Sequence, residues 1–118
     1  MKLVFSISHE SLLMDKKHYW AKSGPFGKGP LPVGEYKVGS LIDLDPKKVK
    51  SGFKVGSVSY WIKLTPMFET VRKGLGIHPD GNINGTLGCI GLQGIDAYRF
   101  QLDWKRLSEE PQKLVVIE

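Results

Sequence analysis

Gly76-Ile77-His78-Pro79-Asp80-Gly81-Asn82-Ile83-Asn84-Gly85-Thr86-Leu87-Gly88-Cys89-Ile90-Gly91-Leu92 holds the only cysteine of this 118-residue chain, with a histidine eleven positions before it. A lone thiol has no internal disulfide partner, so a bridge does not explain it. Thiols act as strong nucleophiles in the thiolate form, and an adjacent imidazole can take the proton or hold the ion pair. The glycine before Cys89 lets backbone N–H groups approach a reacting carbonyl. A single cysteine is more often a small buried apolar residue. Here it stands in a glycine-rich turn instead, and on chemistry alone both readings stay open.

Outward from this run the chain reads as strands and glycine-rich turns, then one helix and a closing strand. Leu3, Phe5 and Ile7 alternate with polar or smaller residues and predict a half-buried strand. Leu12–Met14 and His18–Ala21 predict the next two, joined by the polar turn at Asp15-Lys16-Lys17. Residues 23–34 hold four glycines and three prolines in twelve positions, which excludes helix and interior strand and predicts an ordered surface loop. Glu35–Val38 predicts a strand, and the polar, lysine-rich residues 41–52 an exposed excursion. Phe53–Val55 and Val58–Leu64 predict a strand pair around Gly56-Ser57, ended by Pro66, with a short helical turn over 67–73. Seven glycines fall within residues 74–94 and mark turns. Ile95, Tyr98, Leu102 and Arg106 recur at helical spacing, with Asp96 in the first turn and Lys105 and Arg106 in the last, as the helix dipole favours. Leu114–Ile117 predicts a buried final strand. The fold class expected is mainly β with one helix in the C-terminal half, a curved mixed sheet or barrel-like sandwich, over a single domain, 1–118.

Composition bounds the function. Apolar residues make up 41% and charged residues 25%, ordinary for a soluble globular chain. No run approaches the roughly 20 apolar residues of a membrane span. The net charge of +5 is either a solvated basic surface or a means of attracting an anionic polymer, with nucleic acid and bacterial cell wall as candidates. No basic helix, zinc spacing or aromatic RNA-binding signature points to nucleic acid. The apolar run within Met1–Glu10 is too short for a secretory signal.

Thr86-Leu87-Gly88-Cys89-Ile90-Gly91-Leu92 resembles the Ser/Thr-x-Gly-Cys-Ile/Val-x-Leu/Met signature of L,D-transpeptidases with the YkuD-like fold, and His78 falls where that family places its upstream histidine. Gly29-Pro30-Leu31-Pro32-Val33-Gly34-Glu35-Tyr36-Lys37-Val38-Gly39 is similar to the family's proline-glycine segment, and Trp61–Pro66 to the strand leading toward its histidine. Matching segments run from about residue 24 to 117. Compact members delivered by type VI secretion as antibacterial cell-wall effectors look most similar. The resemblance implies cysteine acyl transfer on the stem peptides of peptidoglycan, without cofactor or metal. Cys89 would attack the carbonyl of the third residue of a tetrapeptide. His78 would take the thiol proton or pre-form the ion pair, and later protonate the leaving D-amino acid. The N–H groups of Gly88 and Cys89 would hold the oxyanion. Water as acceptor gives an L,D-carboxypeptidase, and an amine gives a crosslink or an exchange.

Two departures stand out. The family often has arginine two residues after the cysteine, where this chain has Gly91, so Arg99 or Arg72 would have to reach in from elsewhere. Many relatives carry a second histidine where Leu87 stands. Thr86, Arg99 and Tyr36 are the candidate substrate contacts. Asn82 and Asn84 are turn formers before they are catalytic helpers. A zinc site from His78, Asp80 and Cys89 lacks the usual ligand spacing, and His9 and His18 read as surface histidines. The alternatives are a catalytically impaired wall-binding module of the same fold, with Gly91 marking the lost chemistry, and a cysteine peptidase acting on proteins. An immunity protein or a secretion-system component is a further expected partner. The protein is expected to be made in the cytoplasm and to act in the periplasm or at the wall after non-Sec delivery, as a secreted effector or a phage-encoded protein.

Overall fold

The computed structural model describes residues 1–81 and 84–118. Eight strands close into a barrel: β1 (Lys2–Ser6), β2 (Ser11–Met14), β3 (Lys17–Ser23), β4 (Gly34–Asp43), β5 (Tyr60–Pro66), β6 (Gly76–Asp80), β7 (Ile90–Gln93) and β8 (Lys113–Ile117). The order around it is β1-β2-β3-β7-β6-β5-β4-β8. One helix, α1 (Ile95–Lys105), joins β7 to β8. The sheet is mixed, because β6 runs parallel to β7 and β1 parallel to β8 while the other neighbours are antiparallel. This is the expected mainly β chain with a single helix in its second half. At eleven residues, α1 is too short to cross a membrane.

Local sequence explains the first sheet corner. Asp15 and Lys16 both take positive φ (48° and 69°), as a two-residue hairpin between twisted strands requires. That turn sets Met14 opposite Lys17 and Leu12 opposite Tyr19, with Leu12, Met14 and Tyr19 in the core.

Several expectations need correction. β4 does not stop at Val38. A register shift between Val38 and Leu41 carries it on to Asp43, pairing Leu41 with Ile62, so the polar excursion begins only after residue 43. The pair expected around Gly56-Ser57 reduces to one bridge, Val55 with Val58, and its arm toward Pro66 becomes β5 from Tyr60. No helical turn forms over residues 67–73. The glycine-rich stretch hides two central strands, β6 and β7, both buried along their whole length. Glycine is unfavourable in a strand unless something fills the space its missing Cβ leaves. At Gly76 the Trp61 ring fills it, and at Gly91 Asp80 and Thr86 do.

The helix forms where its charges predict, but a different stripe faces inward. Ala97, Phe100 and Trp104 are buried, whereas Ile95 and Tyr98 are 71% and 46% exposed. The reason is aromatic packing. Phe100 meets Tyr19 edge-on at 5.3 Å and lies 5.8 Å from Trp104, while the Tyr60 hydroxyl donates to the Ala97 carbonyl at 2.7 Å. Each fully buried ring stabilises by roughly 1.5–3 kcal/mol relative to exposure, more than helical spacing alone can decide. This packing seats α1 against β3 and β7 and so fixes the strand that follows the cysteine.

Candidate active site

β6 and β7 are parallel yet separated by only residues 81–89. Parallel neighbours usually need a dozen or more residues to cross over. Among the described residues of that connection, Cys89 stands immediately before β7. The register, Ile77 with Ile90 and His78 with Gly91, sets Cys89 beside Gly76. Side chains two apart on a strand share a face. Ile77 and Ile90 point into the barrel, so His78, Asp80 and Cys89 stand on the opposite face, where all three line one pocket of about 760 Å³.

His78 is 4% exposed and packs between the Phe53 ring (4.5 Å) and the Trp61 ring (5.9 Å, near-parallel). Its Nδ1 lies 2.7 Å from the Pro79 carbonyl oxygen. A carbonyl only accepts, so Nδ1 carries the proton and Nε2 is left as the basic nitrogen. Burial holds the imidazole below the ordinary histidine range, against the opposing pull of the Pro79 carbonyl and Asp80. Burial also raises the Cys89 thiol, with a backbone hydrogen bond from Gly76 and the charge of Arg72 pulling the other way. The thiol donates to the Gly74 carbonyl at 3.5 Å, and among the described residues no hydrogen bond joins it to His78. Both shifts favour the neutral forms, and the thiol is bonded to Gly74 and not to His78.

The loop that carries Cys89 is pinned by one hydroxyl. Thr86 Oγ1 donates to the Cys89 carbonyl (2.5 Å) and accepts from the Gly24 and Gly88 N–H groups (3.1 and 3.2 Å). A hydroxyl has one proton and two acceptor sites. Thr86 Oγ1 is saturated and holds the loop, and the residue also lines the pocket. The Gly88 N–H, an expected oxyanion donor, is directed to Thr86 Oγ1, and the Gly88 carbonyl accepts from Ser23 Oγ at 3.3 Å. No turn or side-chain bond among the described residues takes the Cys89 N–H. Gly88 itself, at φ 137°, has a conformation that glycine favours, and the Arg72 guanidinium occupies the place of its Cβ.

The other candidates divide cleanly. Tyr36 is fully buried, its hydroxyl donating to the Pro32 carbonyl at 2.6 Å and its ring meeting Phe68 edge-on, so it is a core residue away from the pocket. Arg99 lies on α1, paired with Asp96 at 2.6 Å over the Tyr19 ring, also away from the pocket. Arg72 does line the pocket, tied to the carbonyl oxygens of Pro30 (3.2 Å) and Gly29 (3.3 Å). Asn82 lies outside the described residues, and Asn84 is exposed. His9 and His18 bond locally to Ser6 and Ser11.

Asp80 is the residue that sequence reasoning undervalued. It is 7% exposed, and its Oδ2 accepts from the Gly85 N–H (2.7 Å) and from Gln93 Nε2 (2.6 Å), tying the end of β6 to the Cys89 loop and to the end of β7. The strand alternation His78-Pro79-Asp80 would have placed it on the face of His78. Among the described residues no cluster of three metal-ligating side chains forms.

No protein-family model matches the sequence, and no curated protein matches it. Solved structures do. The chain is similar to an L,D-transpeptidase from Mycobacterium tuberculosis H37Rv (22% identity, TM-score 0.56, covering 99% of this chain and 57% of that one). It is also similar to M. tuberculosis L,D-transpeptidase 1 (18%, TM-score 0.60, 99% and 58%) and to an L,D-transpeptidase from Xylanimonas cellulosilytica (15%, TM-score 0.61, 98% and 59%). The likeness is one of fold, and this chain spans less than three fifths of the length of each.

Proposed function

We propose that the protein is a cysteine acyltransferase or hydrolase of the L,D-transpeptidase type, acting on peptidoglycan stem tetrapeptides. The observation that carries the reading is the shared pocket of Cys89 and His78, with His78 Nε2 freed by the Nδ1–Pro79 bond. In the proposed reaction His78 Nε2 takes the thiol proton as Cys89 Sγ bonds to the carbonyl carbon of the third residue. The tetrahedral oxyanion forms beside the Cys89 N–H. Its collapse breaks the amide bond, and His78 returns the proton to the leaving D-amino acid. Water or an amine then attacks the thioester and releases the thiol. Removing one oxyanion donor typically costs about 3 kcal/mol of transition-state stabilisation, so with the Gly88 N–H directed to Thr86 the burden falls on Cys89 N–H and on nearby charge. In this reading Arg72, which lines the pocket, takes a substrate carboxylate in place of Arg99, which does not line it. The protein acts at the bacterial wall in this reading.

The test is incubation with tetrapeptide muropeptides under reducing conditions, followed by mass spectrometry, beside Cys89→Ala and His78→Ala. Loss of the terminal residue or a new crosslink with wild type alone is the expected result, and unchanged muropeptides refute it. A wall-binding module without chemistry is the second reading, favoured by the raised thiol and its bond to Gly74 rather than to His78. The same experiment separates the two.

A further inference from the structure

The polar arm between β4 and β5, residues 44–59, adds no strand to the barrel, yet it is braced along its length. At its base the Leu44 N–H donates to the Ser59 carbonyl (3.0 Å), and the Lys48 N–H to the Asp45 carbonyl (2.9 Å). Lys54 Nζ donates to the Pro46 carbonyl (2.8 Å), and Val55 bridges Val58. The single 3-10 turn of the arm, Ser51–Phe53, packs against β6. That contact is close: the carbonyl oxygens of Ser51 and Lys54 occupy the place of a Gly81 Cβ, and the Gly81 N–H donates to the Gly52 carbonyl at 3.4 Å. A glycine directly after β6 is therefore what admits the arm.

What the arm holds over β6 is Phe53. Ser59 is 3% exposed, and its hydroxyl donates to the Phe53 carbonyl at 2.7 Å. The Phe53 N–H donates to the Lys50 carbonyl at 3.0 Å. Backbone is thus fixed on both sides of the side chain. The Phe53 ring centroid stands 4.5 Å from that of His78 at a tilt of 46°, and the Trp61 ring, from β5, stands 5.9 Å away at 18°. Both rings line the pocket with His78. A polar ring on the wall of an open pocket is ordinarily wetted, and these two aromatic neighbours leave His78 only 4% exposed.

We propose that Phe53 is a positioning residue: carried by the arm, it pins the His78 ring with Nδ1 on the Pro79 carbonyl and keeps water from it, so that Nε2 is held as a free base in the pocket of Cys89. It acts through His78 and not on substrate. The inference deepens the function proposed above and rests on that reading for its kinetic consequence alone. The lowered titration of His78 agrees, since burial is the largest cause and lowers it. The charged groups nearby come from several elements. Asp80, on the same face of β6, pulls the imidazole upward; Lys28, Arg72 and Lys73 line the same pocket, and Lys54 is turned to Pro46. Burial favours the neutral Cys89 thiol. Truncating Phe53 leaves all of these in place, so a change in His78 on truncation reports the entry of water.

The test follows the three histidines of the chain by NMR titration, and by diethyl pyrocarbonate modification near neutral pH, under reducing conditions. Phe53→Ala should raise the His78 titration toward the ordinary value of about 6.5 and speed its modification several-fold. Phe53→Leu keeps apolar cover and should restore most of the wild-type behaviour. His9 and His18, both exposed, are internal controls and should not move. Ser59→Ala, which removes the bond to the Phe53 carbonyl, should shift His78 in the same direction by less, and it carries the test if Phe53→Ala does not fold. An unmoved His78 in a folded variant, or a shift shared by His9 and His18, overturns the proposal. With tetrapeptide muropeptides, Phe53→Ala should lower kcat roughly tenfold or more with KM held, and the acid limb of its pH profile should move upward with the His78 titration. A loss carried by KM with His78 unmoved would make Phe53 a substrate contact instead. If wild-type protein turns over no muropeptide, the titration and the modification still decide the role of Phe53, so the two failures are told apart.

Discussion

Gly91→Ala tests how tightly the site is built around an absent side chain. Gly91 is in extended backbone in the middle of β7, so alanine can adopt its conformation and gains about 0.4–1 kcal/mol by restricting the unfolded chain. Against this, a Cβ there would lie 2.7 Å from Asp80 Cβ and 2.7 Å from Thr86 Cγ2, about 0.7 Å inside the ordinary contact limit of 3.4 Å. Neither neighbour is free to move. Asp80 is braced by Gly85 and Gln93, and Thr86 is bonded three ways. Overpacking of this kind costs about 1–3 kcal/mol, so the net loss is about 1–2 kcal/mol. With an unfolding entropy of about 2.1 cal/mol/K per residue, a chain of 118 residues loses about 4 °C per kcal/mol. Thermal unfolding should therefore show a fall of about 4–8 °C. Because the strain passes through Thr86, the alkylation rate of Cys89 should change as well. Thr86→Ser keeps the hydroxyl and removes Cγ2, so adding it to Gly91→Ala should recover part of the loss, with a coupling of at least about 0.5 kcal/mol in the double-mutant cycle. Gly91→Arg, which installs the residue carried by the look-alike family, should abolish the site instead of improving it. A Gly91→Ala protein that melts at or above the wild-type temperature with unaltered thiol reactivity would refute the packing argument.

Thr86→Val leaves the Gly24 and Gly88 N–H groups and the Cys89 carbonyl without their shared partner; about 3 kcal/mol of stability should be lost on thermal unfolding, and Thr86→Ser should retain most of it. Alkylation of Cys89 should accelerate only above the free-thiol value of about 8.5, because burial raises the thiol; fast alkylation at pH 6–7 that His78→Ala abolishes would reveal an ion pair instead. His78 is held below about 6.5, so the unfolded chain takes up that proton first as pH falls. Its contribution to stability is present above about pH 6.5 and falls as pH drops toward the folded value, a loss that acid melting curves of His78→Gln should lack. Gly81→Ala drives a methyl into the carbonyls of Ser51 and Lys54; hydrogen exchange should show residues 51–54 released, and the imidazole beneath Phe53 should become accessible to modification by diethyl pyrocarbonate.

The linear order of residues settled what depends on neighbours along the chain. Alternation in Leu3–Ile7, the apolar run Leu114–Ile117, the Asp15-Lys16 corner, the stop near Pro66 and the charges at the ends of α1 are local properties, and strands and helix form there, though β1 ends at Ser6 and Ile117 is exposed in a strand expected to be buried. The pairing of Cys89 with His78 was legible as chemistry in one short run. Tertiary packing decided the rest. The glycines of β6 and β7 predict turns, because glycine in a strand makes sense only once Trp61, Asp80 and Thr86 fill the space beside it. The buried stripe of α1 was set by Tyr19 and Tyr60, far away in sequence. Tyr36 and Arg99 matched a substrate-binding role by residue type, yet one is sealed in the core and the other bound to Asp96 on a different face. Arg72 comes to the pocket from a segment with no motif to mark it. Short-range spacing put a candidate nucleophile and a candidate base into one run, and the family resemblance supplied their expected roles. Which hydroxyl is saturated and which residues line the pocket depend on contacts between residues tens of positions apart, and only the closed barrel brings those together.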